Sequence, residues 1–334
     1  MNKSDITAFR KLFKPDNTNI SHISGYYVDA EGTVLHKFSK SFLNLENEDI
    51  LRWLVYFKKG ISEKPVTKTF TEHRDMLALR DSGLAESAVE SFFEKMKEND
   101  TLVRNRLYIL IHNTVDLFNK VQQESELSYD HIVGFVMPVE LDSPCFAFTN
   151  NEFVAKQRIW EVRQPDFSFV YPSLENGEED DDKISFFIGK KNEKYYADLI
   201  KRVFNIDFTA MSDVKEQFLS AITHTLTQSD IADDQKLQIL KEIQDVAKDN
   251  KPVESAKVEE IFQKHGIEQE VFTEPMTIPS DIITPVTSTI AANDIKISVS
   301  KDTVPKIQIK TIDGQKYLSI PIDTETIEVN GITL

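Results

Sequence analysis

KISFFIGKKNEKYYADLIKRVFNID, residues 183–207, sets out a strand, a break and a helix in that order. Residues 184–188 are a short run of apolar, aromatic and β-branched side chains, which predicts a buried strand. Gly189 interrupts it. Tyr196, Leu199, Ile200, Val203 and Phe204 then recur at three- and four-residue spacing, the pattern of one helix face, with Lys194, Asp198, Lys201 and Arg202 on the other. Residues 183–202 hold six basic and two acidic side chains, a local charge of +4 in a chain of net charge −16. A strand–helix unit with a solvated basic rim accounts for this. So does an element that faces phosphate or nucleic acid. Gly189-Lys190 lacks the G-x-x-x-x-G-K-[ST] frame of a phosphate loop, so no NTPase signature is present.

Upstream, LYILIH (107–112) and HIVGFVMPVEL (131–141) are nearly all apolar and predict central strands of a helix-covered sheet. Residues 113–130 read as a loop or partly helical insertion, and Pro138 predicts an edge or bulge. Shorter strands are expected at 145–148, 158–162 and 167–171. Their connections are too short for helical crossovers, so the pairing is antiparallel. The acidic EEDDD at 178–182 reads as a solvated loop. Nearer the N-terminus, Ser4 is placed to cap a helix with Ile6, Phe9 and Phe13 on one face. Residues 21–28 and 33–38 flank Asp29-Ala30-Glu31-Gly32 as a hairpin, and 64–71 read as a strand. Helices follow from the spacing in 48–57, with Ile50, Leu51, Leu54 and Val55 inward, and in 86–97, with Val89, Phe92, Phe93 and Met96.

Downstream, residues 208–274 hold 7 basic and 14 acidic side chains and three helical patterns. The last pattern begins at Ser255 and stops at His265-Gly266. Pro275, Pro279 and Pro285 among many Ser and Thr residues predict an extended linker. Strands return at 295–299, 306–312 and 316–322, with hairpin turns at Asp313-Gly314 and Asn330-Gly331. The expected class is therefore α+β: a mixed, mainly antiparallel sheet with flanking helices (1–207), an acidic helical subdomain (208–272), a Pro/Ser/Thr-rich linker (273–293) and a small C-terminal β-hairpin unit (294–334).

The 334 residues suffice for a substantial core. The acidic balance argues against a surface that coats DNA throughout, but permits a local basic patch or a basic protein partner. Cys145 is the single cysteine, so no intramolecular disulfide forms, which suits a cytoplasmic location. Beside Phe146 and Phe148 it reads as a small apolar filler. No run of apolar residues is long enough for a membrane span.

The seven histidines form no H-E-x-x-H and no zinc-type spacing, so neither metal nor cofactor is expected. Glu72-His73-Arg74-Asp75 would need ligands from elsewhere and reads as a helix start. The catalytic candidates are His112, ending one central strand, and His131, beginning another. As antiparallel neighbours they could stand close together, with Asp116 and Asp130 nearby, as an acid–base or metal pair. Strand-end histidines bonded to loops explain the same residues.

The segments FKPDNTNISHISGYYVD, MLALRDSGL and KTIDGQKYLSIPIDTETIEVNGI together resemble a family of domains of unknown function, number 4317, from Gram-positive bacteria. The resemblance spans most of the chain and implies no activity. In its order of elements and its basic strand–helix unit the chain is also weakly similar to bacterial nucleoid-associated proteins. The leading expectation is a non-enzymatic protein that binds nucleic acid through Lys190, Lys191, Lys194, Lys201 and Arg202, with Arg10, Lys11 and Lys14 as a second group. One alternative is a protein–protein module that uses the acidic helices. Another is an enzyme that uses His112 and His131.

Overall fold

The structure, a computed structural model, describes residues 1–16, 18–61, 65–71, 74–118, 126–247, 251–285, 287–292, 295–300, 303–320, 328–329 and 332–333. Glu72, His73, Asn330, Gly331 and the side chains of Asp116 and Lys190 lie outside the described residues. The chain divides into two units, Met1–Ala210 and Met211–Leu334.

The first unit carries strands β1 (Ile20–Val28), β2 (Val34–Ser41), β3 (Val66–Thr69), β4 (Arg106–Phe118), β5 (Glu126–Leu141), β6 (Phe146–Thr149), β7 (Glu152–Ala155), β8 (Trp160–Val162), β9 (Phe167–Tyr171), β10 (Ser173–Glu175), β11 (Glu178–Asp180) and β12 (Lys183–Ile188). Its helices are α1 (Lys3–Lys11), α2 (Asn47–Gly60), α3 (Arg74–Asp81), α4 (Glu86–Asn99) and α5 (Glu193–Phe204). Eight strands form one sheet in the order β2-β1-β4-β5-β9-β12-β3, with β8 also paired to β5. Every described pairing in it is antiparallel. The α+β class follows from this sheet and its helices.

Both faces of the sheet are covered, which is why its central strands are apolar throughout. Met76, Leu79, Phe92, Phe93, Met96, Leu199, Val203 and Phe204 of α3, α4 and α5 pack on Tyr108, Leu110, Ile132, Phe169 and Phe186. Phe9 of α1 and Leu54 and Phe57 of α2 pack on Ile109, Ile111, Val133, Phe135 and Phe187 on the other face. Gly134 makes the first layer possible: a Cβ there would lie 2.1 Å from the Phe169 ring.

Several sequence expectations change here. The side chain of Asn2, not Ser4, caps α1, accepting from the amides of Ser4 and Asp5. On α2 the inward line is Ile50, Leu54, Phe57 and then Ile61, while Leu51 and Val55 stand about half exposed. Within the expected loop at 113–130 the described residues are instead strand: β4 continues to Phe118 and β5 starts at Glu126, with Thr114 opposite Asp130 and Leu117 opposite Leu127. Alternation of polar and apolar residues through 114–117 carries the strand beyond its apolar run. Pro138 sits where β5 exchanges one neighbour, β9, for another, β8. Part of the acidic loop is strand β11, paired with β10.

The second unit contains α6 (Met211–Gln228), α7 (Asp233–Val246), β13 (Val253–Glu254), α8 (Ser255–Lys264), β14 (Thr277–Ile278), α9 (Ser280–Ile283), β15 (Thr287–Ala292), β16 (Ile295–Ser300), β17 (Gln308–Ile312), β18 (Gln315–Ser319), β19 (Glu328–Val329) and β20 (Ile332–Thr333). Phe218, Ile222, Ile239, Ile243, Val258 and Phe262 form its core. The proline-rich stretch is not extended throughout. Ile278 and Ile283 are buried in this core, which folds the stretch into β14 and α9. The turn between β17 and β18 has Asp313 and Gly314 at φ 51° and 79°, the left-handed pair that a two-residue hairpin requires.

Candidate functional site

The strand–helix unit at 183–207 folds as its spacing implies. Strand β12 lies between β9 and β3, and α5 buries Tyr196, Leu199, Ile200, Val203 and Phe204. Gly189 has an ordinary φ of −69° but an unusual neighbour. Its amide donates to the Asp166 carbonyl at 2.8 Å, and an added Cβ would sit 3.1 Å from that oxygen. Asn205, left-handed at φ 54°, ends the helix.

Asp166 anchors the start of α5. The Tyr196 hydroxyl donates to Asp166 Oδ1 at 2.5 Å and Asn192 Nδ2 to Oδ2 at 3.0 Å. Arg104 Nη2 lies 2.7 Å from Asp166 Oδ2 and 2.6 Å from the Tyr196 oxygen. Burial and the nearby carboxylate push the Tyr196 hydroxyl far above the usual phenol range. Tyr195 is half-buried with its ring edge-on to Tyr196, 5.0 Å away. Tyr196, fully buried, therefore offers no open face for base stacking.

Of the expected phosphate-binding residues, Lys191, Lys194, Lys201 and Arg202 are exposed. Lys194, Asp198 and Lys201 line one stripe of α5, and Arg202 stands one turn beyond Asp198. Lys201 is paired with Asp207 at 2.9 Å. The second basic group does not join them. Arg10 and Lys11 lie on α1, which covers the opposite face of the sheet from α5, and Lys14 follows that helix.

The histidine candidates separate in the same way. β4 and β5 are neighbours, but Asn113, not His112, stands opposite His131. With side chains alternating along a strand, the two imidazoles point to opposite faces. His131 is fully buried, stacked on Tyr129 at 4.3 Å and tilted against Phe9 at 5.1 Å. Loss of hydration pushes its pKa down to about 3.

His112 has other company. Ser21 is the extra residue of a β-bulge, because Ile20 pairs with Asn113 and His22 with His112. Bulges re-aim side chains and are common beside active sites. Here the bulge sets Ser21 Oγ 2.8 Å from His112 Nδ1. Asp130 Oδ1 lies 2.9 Å from His112 Nε2, off the line of a hydrogen bond, and accepts from Thr114 Oγ1 at 2.7 Å. His22 Nε2 is 2.7 Å from Ser39 Oγ, and burial followed by repulsion from His112 lowers its pKa. Nearby, Glu179 is raised to about 7, first by burial and then by Asp181, although Arg80 lies 3.1 Å away. No motif marked Ser21; only the tertiary register brings it to His112.

Among the described residues no group of three or more His, Cys, Asp or Glu could hold a metal ion. No described helix is long and apolar enough to cross a membrane. Two shallow openings lie away from His112, one along α6 and one between α2 and the residues around Val162.

The family model described as Domain of unknown function (DUF4317) matches residues 1–332. The chain belongs to the DUF4317 family. Comparison with curated proteins finds no match. The DUF4317 match spans both units, so the sheet unit and the helical unit with its hairpins are parts of one family architecture. The likeness to nucleoid-associated proteins gains nothing from these comparisons.

Proposed function

We propose that this DUF4317 protein is a cytoplasmic, non-enzymatic binder of nucleic acid that uses the outer face of α5 and the turn before it. The carrying observation is the segregation of charge on this unit. Lys191, Lys194, Lys201 and Arg202 stand in solvent while the apolar face of the same helix is buried. Asp198 and Asp207 weaken the local field, so binding is salt-sensitive and depends on each cation. Four phosphate contacts correspond to a fall in affinity of about 100-fold between 50 and 200 mM salt. In a mobility-shift titration with duplex and single-stranded DNA, Lys191→Glu/Arg202→Glu should abolish the low-salt complex. A complex retained at wild-type strength in that variant ends the proposal.

A second reading rests on the bulge at Ser21. Ser21 Oγ, His112 and Asp130 are ordered as a nucleophile, a base and a carboxylate that stabilises the protonated base. In this reading His112 Nδ1 takes the Ser21 hydroxyl proton as Oγ attacks an electrophile. A fluorophosphonate probe tests it, since Oγ would bond to phosphorus and release fluoride. Labelling at Ser21 that disappears in His112→Ala supports an enzyme. An unlabelled wild-type protein rejects it.

A further inference from the structure

The sequence reads Cys145 as a small apolar filler, but the hairpin of β6 and β7 that follows it stands out in solvent. Phe146 is 72% exposed, Phe148 61% and Phe153 75%, and Trp160 at its base is 54% exposed. Cys145 is exposed as well. The Phe148 and Phe153 rings meet at 5.0 Å across the two strands and hold the hairpin in shape, but among the described residues no helix covers either side. An apolar surface of this extent on an isolated ribbon marks an interface.

The same unit offers a matching groove. Leu51 and Val55, on the outer side of α2, are 49% and 53% exposed. With Tyr56, Val162 and the stem of Lys59 they line an open groove of about 720 Å³. The hairpin leads into β8, whose last residue, Val162, is part of that groove's wall. Hairpin and groove are thus close neighbours in one chain, yet the hairpin's rings are not seated in it.

We propose that two copies of the chain associate by exchanging these hairpins, each lying in the α2 groove of the other. A two-fold contact of this kind is self-complementary and closes after two copies. The areas suffice. Aromatic side chains bury about 150–250 Å² each, so the exposed parts of four such rings amount to roughly 400–650 Å² per hairpin. Counting both hairpins and the surfaces they cover, the total reaches about 1,600–2,600 Å², the range of stable protein interfaces. Charge does not oppose the contact. Glu152 is the only charged residue from Phe146 to Ala155, and at the groove Arg52 pairs with Glu48 and Arg163 with Glu161 and Glu140, beside Lys59.

Size-exclusion chromatography with light scattering on the full chain decides this, between about 1 and 100 µM. The wild type should run at twice 38.3 kDa. Phe148→Glu/Phe153→Glu in the hairpin and Leu51→Glu/Val55→Glu in the groove should each run as monomers with unchanged circular dichroism, their Kd raised at least about 100-fold. Mixing the two variants should restore partial association, because one intact hairpin still meets one intact groove. A monomeric wild type at 100 µM overturns the proposal. So does a dimer that survives either variant. A monomer that binds lipid vesicles through the hairpin would assign the aromatic surface to a membrane instead and overturn it equally.

Discussion

Asp100→Ala should lower the stability of the sheet unit by about 3–5 kcal/mol, the usual cost of leaving a buried partner charge uncompensated. The Asp100 and Arg106 side chains are 1% and 4% exposed and in direct contact. The Tyr108 hydroxyl donates to Asp100 Oδ2 at 2.5 Å, and Arg106 also reaches the Leu102 carbonyl. Removing the carboxylate strands a guanidinium and a phenol at the start of β4, beneath α4. Both tryptophans, Trp53 and Trp160, lie in residues 1–210, so their fluorescence in a urea titration follows this unit alone. The double variant Asp100→Leu/Arg106→Leu should cost less than Asp100→Ala, because it removes the pair rather than half of it. A loss below about 1 kcal/mol for the single variant would show that water reaches the pair.

Acid should weaken the same unit through His131, and His131→Phe should remove that sensitivity. The folded protein holds this imidazole neutral down to about pH 3, whereas the unfolded chain protonates it near 6.5. Between those values the unfolded state carries the extra proton, so the contribution of His131 is complete above pH 6.5 and is lost as pH falls toward 3. From pH 6.5 to 4 this amounts to about 3 kcal/mol. Phenylalanine keeps the contacts with Tyr129 and Phe9 and cannot take a proton. The stability of the variant should therefore depend less steeply on pH over that interval, by that amount. Parallel stability–pH curves for the two proteins would refute the assignment.

Much of the fold can be read in the sequence because local periodicity and burial agree. The apolar runs at 107–112 and 131–141 are central strands, and α5 buries the residues its spacing selects. Asp313-Gly314 makes its turn for a local reason, the left-handed backbone that both residues tolerate. Strand ends were harder to see. Residues 113–118 mix polar with apolar side chains rather than run apolar, and only pairing with β5 shows them to be strand. Helix faces were legible to within one residue: Leu51 and Val55 look like core beside Leu54, yet the inward line passes through Ile50, Leu54 and Phe57.

The candidate sites divide along the same line. The sequence by itself determined the two-faced apolar strands, the charge reversal at 183–202 and the amphipathic helix that carries it, because each depends on neighbours within a few residues. Only the tertiary structure decided which of those residues meet. A one-residue offset in register put His112 and His131 on opposite faces, a bulge delivered Ser21 to His112, and Phe146, Phe148 and Phe153 came to stand in solvent with no described helix over them. These outcomes follow from contacts between residues far apart in the chain, and side-chain direction in a strand reverses with every residue.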